Sequence, residues 1–212
     1  MSNPTPENQL TSIQEWLGTG AINIFGLPFA GKDSQGSRLA EALGVPLIGG
    51  GDILRNSVIP ERVKAIMHRG ELIPIEDYLS IVLPYLSQDN LSGQPLVLSS
   101  VGRWHGEEPG VIEALTQANH PLRAVIYLQL DERTVWRRWE ALEGHHERGK
   151  RHDDAAEALE VRIEEFRVKT MPVIDFYRDL GLLIEVDASL PKEEVYEAIL
   201  TKLTERTTNN QD

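Results

Sequence analysis

Five short runs of the chain are apolar almost without interruption: "AINIFGL" (21–27), "VPLIG" (45–49), "PLVLSSV" (95–101), "LRAVIYLQL" (122–130) and "LLIEVDA" (182–188). They are rich in β-formers, and their near-continuous hydrophobicity predicts strands buried on both faces of a parallel sheet. Between them the apolar residues recur at helical spacing, in "SRLAEALG" (37–44), "PERVKAIMHRG" (60–70), "IEDYLSIVLPYLS" (75–87), "DERTVWRRWEALEG" (131–144), residues 155–181 and "KEEVYEAILTKL" (192–203). "LTSIQEWL" (10–17) reads as a short packing helix ahead of the first strand. Pro172 falls inside the longest helical stretch and predicts a kink or break there, because proline removes a backbone donor and crowds the preceding turn. Strand and helix alternate throughout, which predicts an α/β fold with helices on both faces of a five-stranded parallel sheet. The polar ends, 1–8 and "ERTTNNQD" (205–212), are expected to fray.

Composition narrows the class. With 212 residues and 41% hydrophobic content, the chain fits one sizeable core with small inserted lobes, a single domain over 1–212. A net charge of −12 disfavours general binding to nucleic acid or to an anionic membrane surface. Anionic small molecules remain compatible if basic residues gather locally. Cysteine is absent, so disulfides and thiolate zinc sites are excluded. The first twenty residues are polar, and no run resembles a signal segment or a membrane span. The expectation is a soluble, intracellular, cytoplasmic protein.

One stretch carries candidate chemistry. "IFGLPFAGKDSQG" (24–36) follows a predicted strand and leads into a predicted helix, with Gly26 and Gly31 five apart and Lys32 after the second. In that setting, backbone N–H groups and a helix N-terminus converge on phosphate oxygens while lysine supplies a mobile cation. Ser34 offers a hydroxyl toward Mg²⁺, one position later than in the strict pattern. Asp33 is out of character, a negative charge where polyphosphate would sit. An ordinary glycine-rich turn is the alternative, and the flanking elements favour the phosphate loop.

With Lys32, Ser34 and Gln35 taken together, the stretch resembles the loop of the adenylate kinase family, and the likeness recurs in order over residues 20–204. "GGGDILR" (49–55) resembles the segment that carries an arginine for the monophosphate, and "MHRGELIP" (67–74) the lining of the monophosphate base pocket. "LVLSSVGR" (96–103) is similar to the strand and loop that bring a second phosphate-binding arginine. "RHDD" (151–154), with Arg162 eleven residues beyond Arg151, resembles the arginine pair flanking the lid, and "VDASLP" (186–191) the loop against the donor adenine.

The resemblance implies a P-loop NTPase-like three-layer sandwich with a monophosphate-binding insertion at 49–78 and a short lid at 140–152. It implies transfer of the γ-phosphoryl of ATP to a nucleoside monophosphate, with Mg²⁺, by a monomer. The catalytic set would be Lys32, Arg103, Arg151 and Arg162. ATP would meet Gly26, Phe29, Ala30, Gly31, Lys32, Asp33, Ser34, Gln35, Arg137 and Ala188. The monophosphate would meet Gly50, Arg55, Glu71, Leu72, Ile73, Arg103, Glu107, Arg151 and Arg162. Guanidinium groups suit this task because phosphoryl transfer is mostly positioning and cancellation of spreading charge. Such a cluster also explains how an acidic protein takes anionic substrates. His145, His146 and His152 are read as solvated, with no zinc, and Asp153 and Asp154 as partners of arginines at the base of the lid.

Four positions depart from the family's pattern. Phe29 and Asp33 stand where glycines are usual, Ser99 replaces an aspartate that orients hydrated Mg²⁺, and Ala141 aligns with an arginine at the start of the lid, so that Arg138 or Arg148 substitutes or nothing does. Asp33 either takes over the metal task, indirectly and beside Ser34, or marks a weakened enzyme. Glu107 stands where adenylate-specific members place a glutamine. Glutamine donates and accepts, whereas a glutamate carboxylate only accepts, as the two adjacent donors of guanine would suit. AMP is the first-choice acceptor, with another monophosphate such as GMP or CMP, or nucleotide binding with little turnover, as alternatives. A small-metabolite kinase is disfavoured by the motifs at 49–55 and 151–162.

Overall fold

The computed structural model describes residues 6–68, 74–143 and 156–209. After a helix α1 (Pro6–Leu17) come β1 (Ala21–Gly26), α2 (Lys32–Leu43), β2 (Leu47–Gly49), α3 (Gly50–Asn56), α4 (Glu61–His68) and α5 (Ile75–Leu86). Then follow β3 (Leu96–Ser99), α6 (Glu108–Gln117), β4 (Leu122–Gln129), α7 (Glu132–Glu143), α8 (Ala156–Glu165), α9 (Met171–Asp179), β5 (Leu183–Asp187) and α10 (Lys192–Asn209). The five strands form one parallel sheet in the order β2-β3-β1-β4-β5. All five predicted strands are present, each trimmed at its ends.

The order matters for function. The connection from β1 to β2 runs toward one edge of the sheet, and the connection from β3 to β4 crosses to the other side of β1. Ligands of open parallel sheets bind at the C-terminal strand ends where the direction of winding changes. Here that place is the end of β1, flanked by Ser99 of β3 and Leu128 of β4.

β1 is buried at all six positions, as its unbroken hydrophobicity requires. Asn23 is its polar exception, and both ends of its amide are bonded: the nitrogen donates to Val101 O at 2.8 Å and the oxygen accepts from the Val101 N–H. That exchange ties β1 to the loop after β3. Two apolar cores lie on the sheet. The larger joins Ile22, Ile24 and Phe25 to Leu39, Val135, Ile163, Tyr177 and Leu203. The smaller joins Leu96 and Leu98 to Ile53, Val63, Ile81, Leu86, Val111 and Leu115.

Some elements differ from expectation. α3 and α6 are helices that the hydrophobic pattern does not announce. α3 opens on glycines, and it is started by the Asp52 carboxylate, which accepts from the Gly49 N–H at 2.9 Å. α6 has Pro109 in its first turn, a start signal hidden by the irregular run before it. α10 continues to Asn209 and α1 begins at Pro6, so the expected frayed ends are partly helical. The break expected near Pro172 is a π-helical segment, Phe166–Thr170, between α8 and α9. Proline cannot donate to the carbonyl four residues earlier, so the ladder widens just ahead of it.

Candidate active site

The loop between β1 and α2 is shaped by backbone constraints. A side chain at Gly26 would press within 3.0 Å of Ala30 Cβ and 3.1 Å of Leu128 O, so only glycine lets the strand end lie this close to β4. Gly31 has φ +90°, a left-handed conformation that disfavours side chains, and it turns the chain into α2. Phe29 is also left-handed, with φ 62°, and its ring packs against the larger core. This accounts for glycine being usual there, and it costs the chain some strain. The Gln35 N–H bonds the Gly31 carbonyl as the first helical bond. The N–H groups of Lys32, Asp33 and Ser34, in the first turn, have no intrahelical acceptor and face the loop.

Three cationic groups from separate parts of the chain converge on this turn. The Lys32 ammonium is held below its ordinary pKa, by burial first, with Asp33 opposing and then Arg162 and Arg103 adding to the depression. Lys32 thus lies within electrostatic reach of the loop after β3 and of α8. A cluster of like charges with a half-buried lysine at its centre is stabilised by a polyanion and destabilised without one.

Arg103 sits on a loop built to hold it. Gly102 and Gly106 have positive φ, and the buried Glu108 carboxylate accepts from Gly106 N–H at 2.5 Å and pairs with His105 Nδ1 at 2.9 Å. The loop is also fastened to the π segment beyond Arg162. The His105 N–H donates to Lys169 O at 2.9 Å, and the Lys169 ammonium lies 4.0 Å from the centre of the Trp104 ring. Arg103 and Arg162 therefore belong to one packed unit. Nothing in the sequence marks Trp104, Glu108 or Lys169 for this work.

Glu107 turns back on its own loop, where Oε2 accepts from the Trp104 N–H at 3.2 Å. Burial pushes its carboxyl up to about 7, against the Trp104 N–H and Arg103 and with help from Glu108. One edge of the carboxyl is thus already used within the loop.

Arg138, on α7, bridges two loops. Its Nη1 donates to Phe29 O at 2.9 Å and its Nη2 to Ala188 O at 2.6 Å. Arg137, the next residue on α7, faces a separate groove lined by Asp131, Trp136 and Glu140. The α7 arginine that joins the phosphate loop to the loop after β5 is therefore Arg138. Gln35 is 4% exposed, and its side-chain amide donates to Lys192 O at 2.9 Å, which braces α2 against α10. Ala188 is fixed by its own N–H bond to Gln129 O at 2.8 Å.

Gly50 begins α3 with its Cα against the Ser100 carbonyl, where a side chain would come within 3.0 Å. Arg55 lies on α3. α4 and α5 are joined by a two-pronged ion pair, Arg62 to the buried Asp77, at 2.5 and 2.6 Å. Glu71, Leu72, Ile73, His145, His146, Arg148, Arg151, His152, Asp153 and Asp154 lie outside the described residues. Among the described residues no group of three or more His, Asp or Glu is placed to hold a metal by itself. A metal at this site would share its ligands with nucleotide phosphates, which suits the Ser34 hydroxyl and the Asp33 carboxylate of the exposed first turn.

Comparison with known proteins agrees with this geometry. The sequence model of the family described as adenylate kinase matches residues 24–182. An adenylate kinase of Parasynechococcus marenigrum is 34% identical, over 85% of this chain and 97% of its own length. One from Leifsonia xyli subsp. xyli is 35% identical over 86% and 92%, and one from Thermus thermophilus 32% identical over 86% and 96%. The match spans the phosphate loop, β2 to β4 and α8, and the chain belongs to the adenylate kinase family.

Proposed function

We propose that the chain transfers the γ-phosphoryl group of ATP to AMP, releasing two molecules of ADP. The observation that carries this reading is the convergence of Lys32, Arg103 and Arg162 on the glycine-bounded turn at the end of β1. One cation cradling a polyphosphate would suit any nucleotide-binding loop. Cations supplied by three separate segments of the chain suit two phosphate chains set end to end.

In this reading the first-turn N–H groups and Lys32 hold the donor β- and γ-phosphates. Arg103, with Arg55, holds the acceptor phosphate, and Arg162, with Arg151, meets the transferring group. An oxygen of the acceptor phosphate attacks the γ-phosphorus as the bond to the bridging oxygen breaks, and the leaving electrons remain on ADP. The charge that spreads over the equatorial oxygens is met by groups already in place, where preorganised donors count most. Mg²⁺, when bound with ATP, would supply further neutralisation of the polyphosphate, held on the protein side by Ser34 and Asp33. Arg138 keeps the two donor loops in register for the adenosine end, with Ala188 and Arg137 near it.

The insertion at 49–78 serves as the acceptor lobe and 140–152 as a short lid, so that water is kept from the reacting phosphate. We take the chain to work as a monomer, as the family resemblance implies, and we place the activity in the cytoplasm. Among the described residues no helix is long and apolar enough to cross a membrane.

Incubation with ATP and AMP, followed by separation of the nucleotides, tests the reaction. Two ADP should form for each ATP consumed, and Lys32→Ala should reduce kcat/KM at least about a hundredfold while thermal unfolding is unchanged within a few degrees. Turnover of Lys32→Ala within a few-fold of the parent would contradict the assignment of the loop.

A further inference from the structure

Asp33 is a carboxylate in the first turn of the helix that receives polyphosphate, directly after Lys32. Facing bare ATP, it repels the ligand. A positive helix end favours it in the empty protein, but that gain is lost once phosphate oxygens arrive.

The surroundings of Asp33 indicate what offsets the repulsion. Asp33 Oδ1 accepts a hydrogen bond from Ser99 Oγ at 2.9 Å, across 66 residues of chain. Ser99 ends β3, is 8% exposed, and lies beside β1 at the level of the phosphate loop. P-loop proteins hold their nucleotide-borne metal between the hydroxyl of the loop and a carboxylate at a strand end. In this chain the strand end offers a hydroxyl and the helix offers the carboxylate, and the two are bonded to each other. The pair therefore delivers a carboxylate to nearly the same place by another route. Ser99 as donor engages one of the two carboxylate oxygens of Asp33 and so fixes the direction of the group. Ser34, the next residue, supplies the hydroxyl on the same exposed turn.

We propose that Asp33, oriented by Ser99, is the outer carboxylate of the nucleotide's metal site, reaching Mg²⁺ through metal-bound water and making the loop select MgATP over metal-free ATP. Asp33 is then a positioning residue, and its cost without metal becomes a discrimination between two forms of the donor. The inference rests on the kinase reading for the identity of the donor.

Calorimetric titration with ATP, in Mg²⁺ and in EDTA with no acceptor present, tests it without turnover. The parent chain should bind MgATP about tenfold or more tightly than metal-free ATP. In Asp33→Asn, metal-free ATP should bind more tightly than to the parent and MgATP less tightly, so the ratio falls toward one. The double exchange Asp33→Ser with Ser99→Asp should restore the ratio, which a merely structural role would not do. Thermal melts confirm that each variant is folded. If Asp33→Asn tightened both forms equally, Asp33 would be only a repulsive charge and the inference would be overturned. A parent that bound both forms alike would overturn it too, with the kinase reading intact. A parent that bound neither form would overturn both.

Discussion

Glu107 shows how far one side chain's meaning depends on its surroundings. Its carboxyl is raised from an ordinary 4.5 to about 7, chiefly by burial. The folded protein therefore holds this proton more tightly than the unfolded chain. The stabilisation is complete below about 4.5 and is lost as pH rises through about 7. Glu107→Gln cannot ionise, so between those limits its melting temperature should fall less with pH than the parent's, and at pH 8 it should melt higher. Parallel slopes in paired melts from pH 4.5 to 8 would show that the buried carboxyl carries no linkage. The glycine-bounded turn that carries Lys32 was legible in the sequence because its shape follows from a few neighbours along the chain. The turn of Glu107 onto Trp104, and the meeting of Asp33 with Ser99, were not, since each depends on how distant strands and loops are stacked.

At the level of elements, the strands were legible because burial on both faces writes itself as uninterrupted hydrophobicity, whereas α3 and α6 begin in glycine- and proline-containing runs that mask their period. Helix phase was the other gap. Arg137 and Arg138 are neighbours pointing in different directions, and only the seating of α7 through Val135 decides which of them reaches the loops. Arg138 holds two carbonyls with one planar fork, which a single ammonium does not match. Arg138→Ala should weaken ATP binding about tenfold, since charge-assisted bonds are typically worth about 1.5–3 kcal/mol, and it should leave AMP binding nearly unchanged. Arg138→Lys should recover little of the loss. Calorimetry with each nucleotide separates the two effects, and equal weakening of both would assign Arg138 to general stability.

The whole molecule carries a net charge of −12 yet places Arg103 and Arg162 within electrostatic reach of Lys32, so the repulsion that its net charge brings to a polyanion is offset locally at that turn. The smaller core, including Ile53, Val63 and Ile81, attaches α3, α4 and α5, the proposed acceptor lobe, to the sheet. A bisubstrate analogue that joins two adenosines through a polyphosphate should slow hydrogen exchange over residues 49–78. Unchanged exchange there would separate that lobe from substrate binding. The central claim, that these cations serve phosphoryl transfer from ATP to AMP, is tested most directly by steady-state rates with ATP and AMP, GMP, CMP or UMP as acceptor in turn. The account predicts the highest kcat/KM with AMP, by about tenfold or more over each other base. A higher value with GMP would contradict the choice of acceptor, and no turnover with any of the four would contradict the kinase itself.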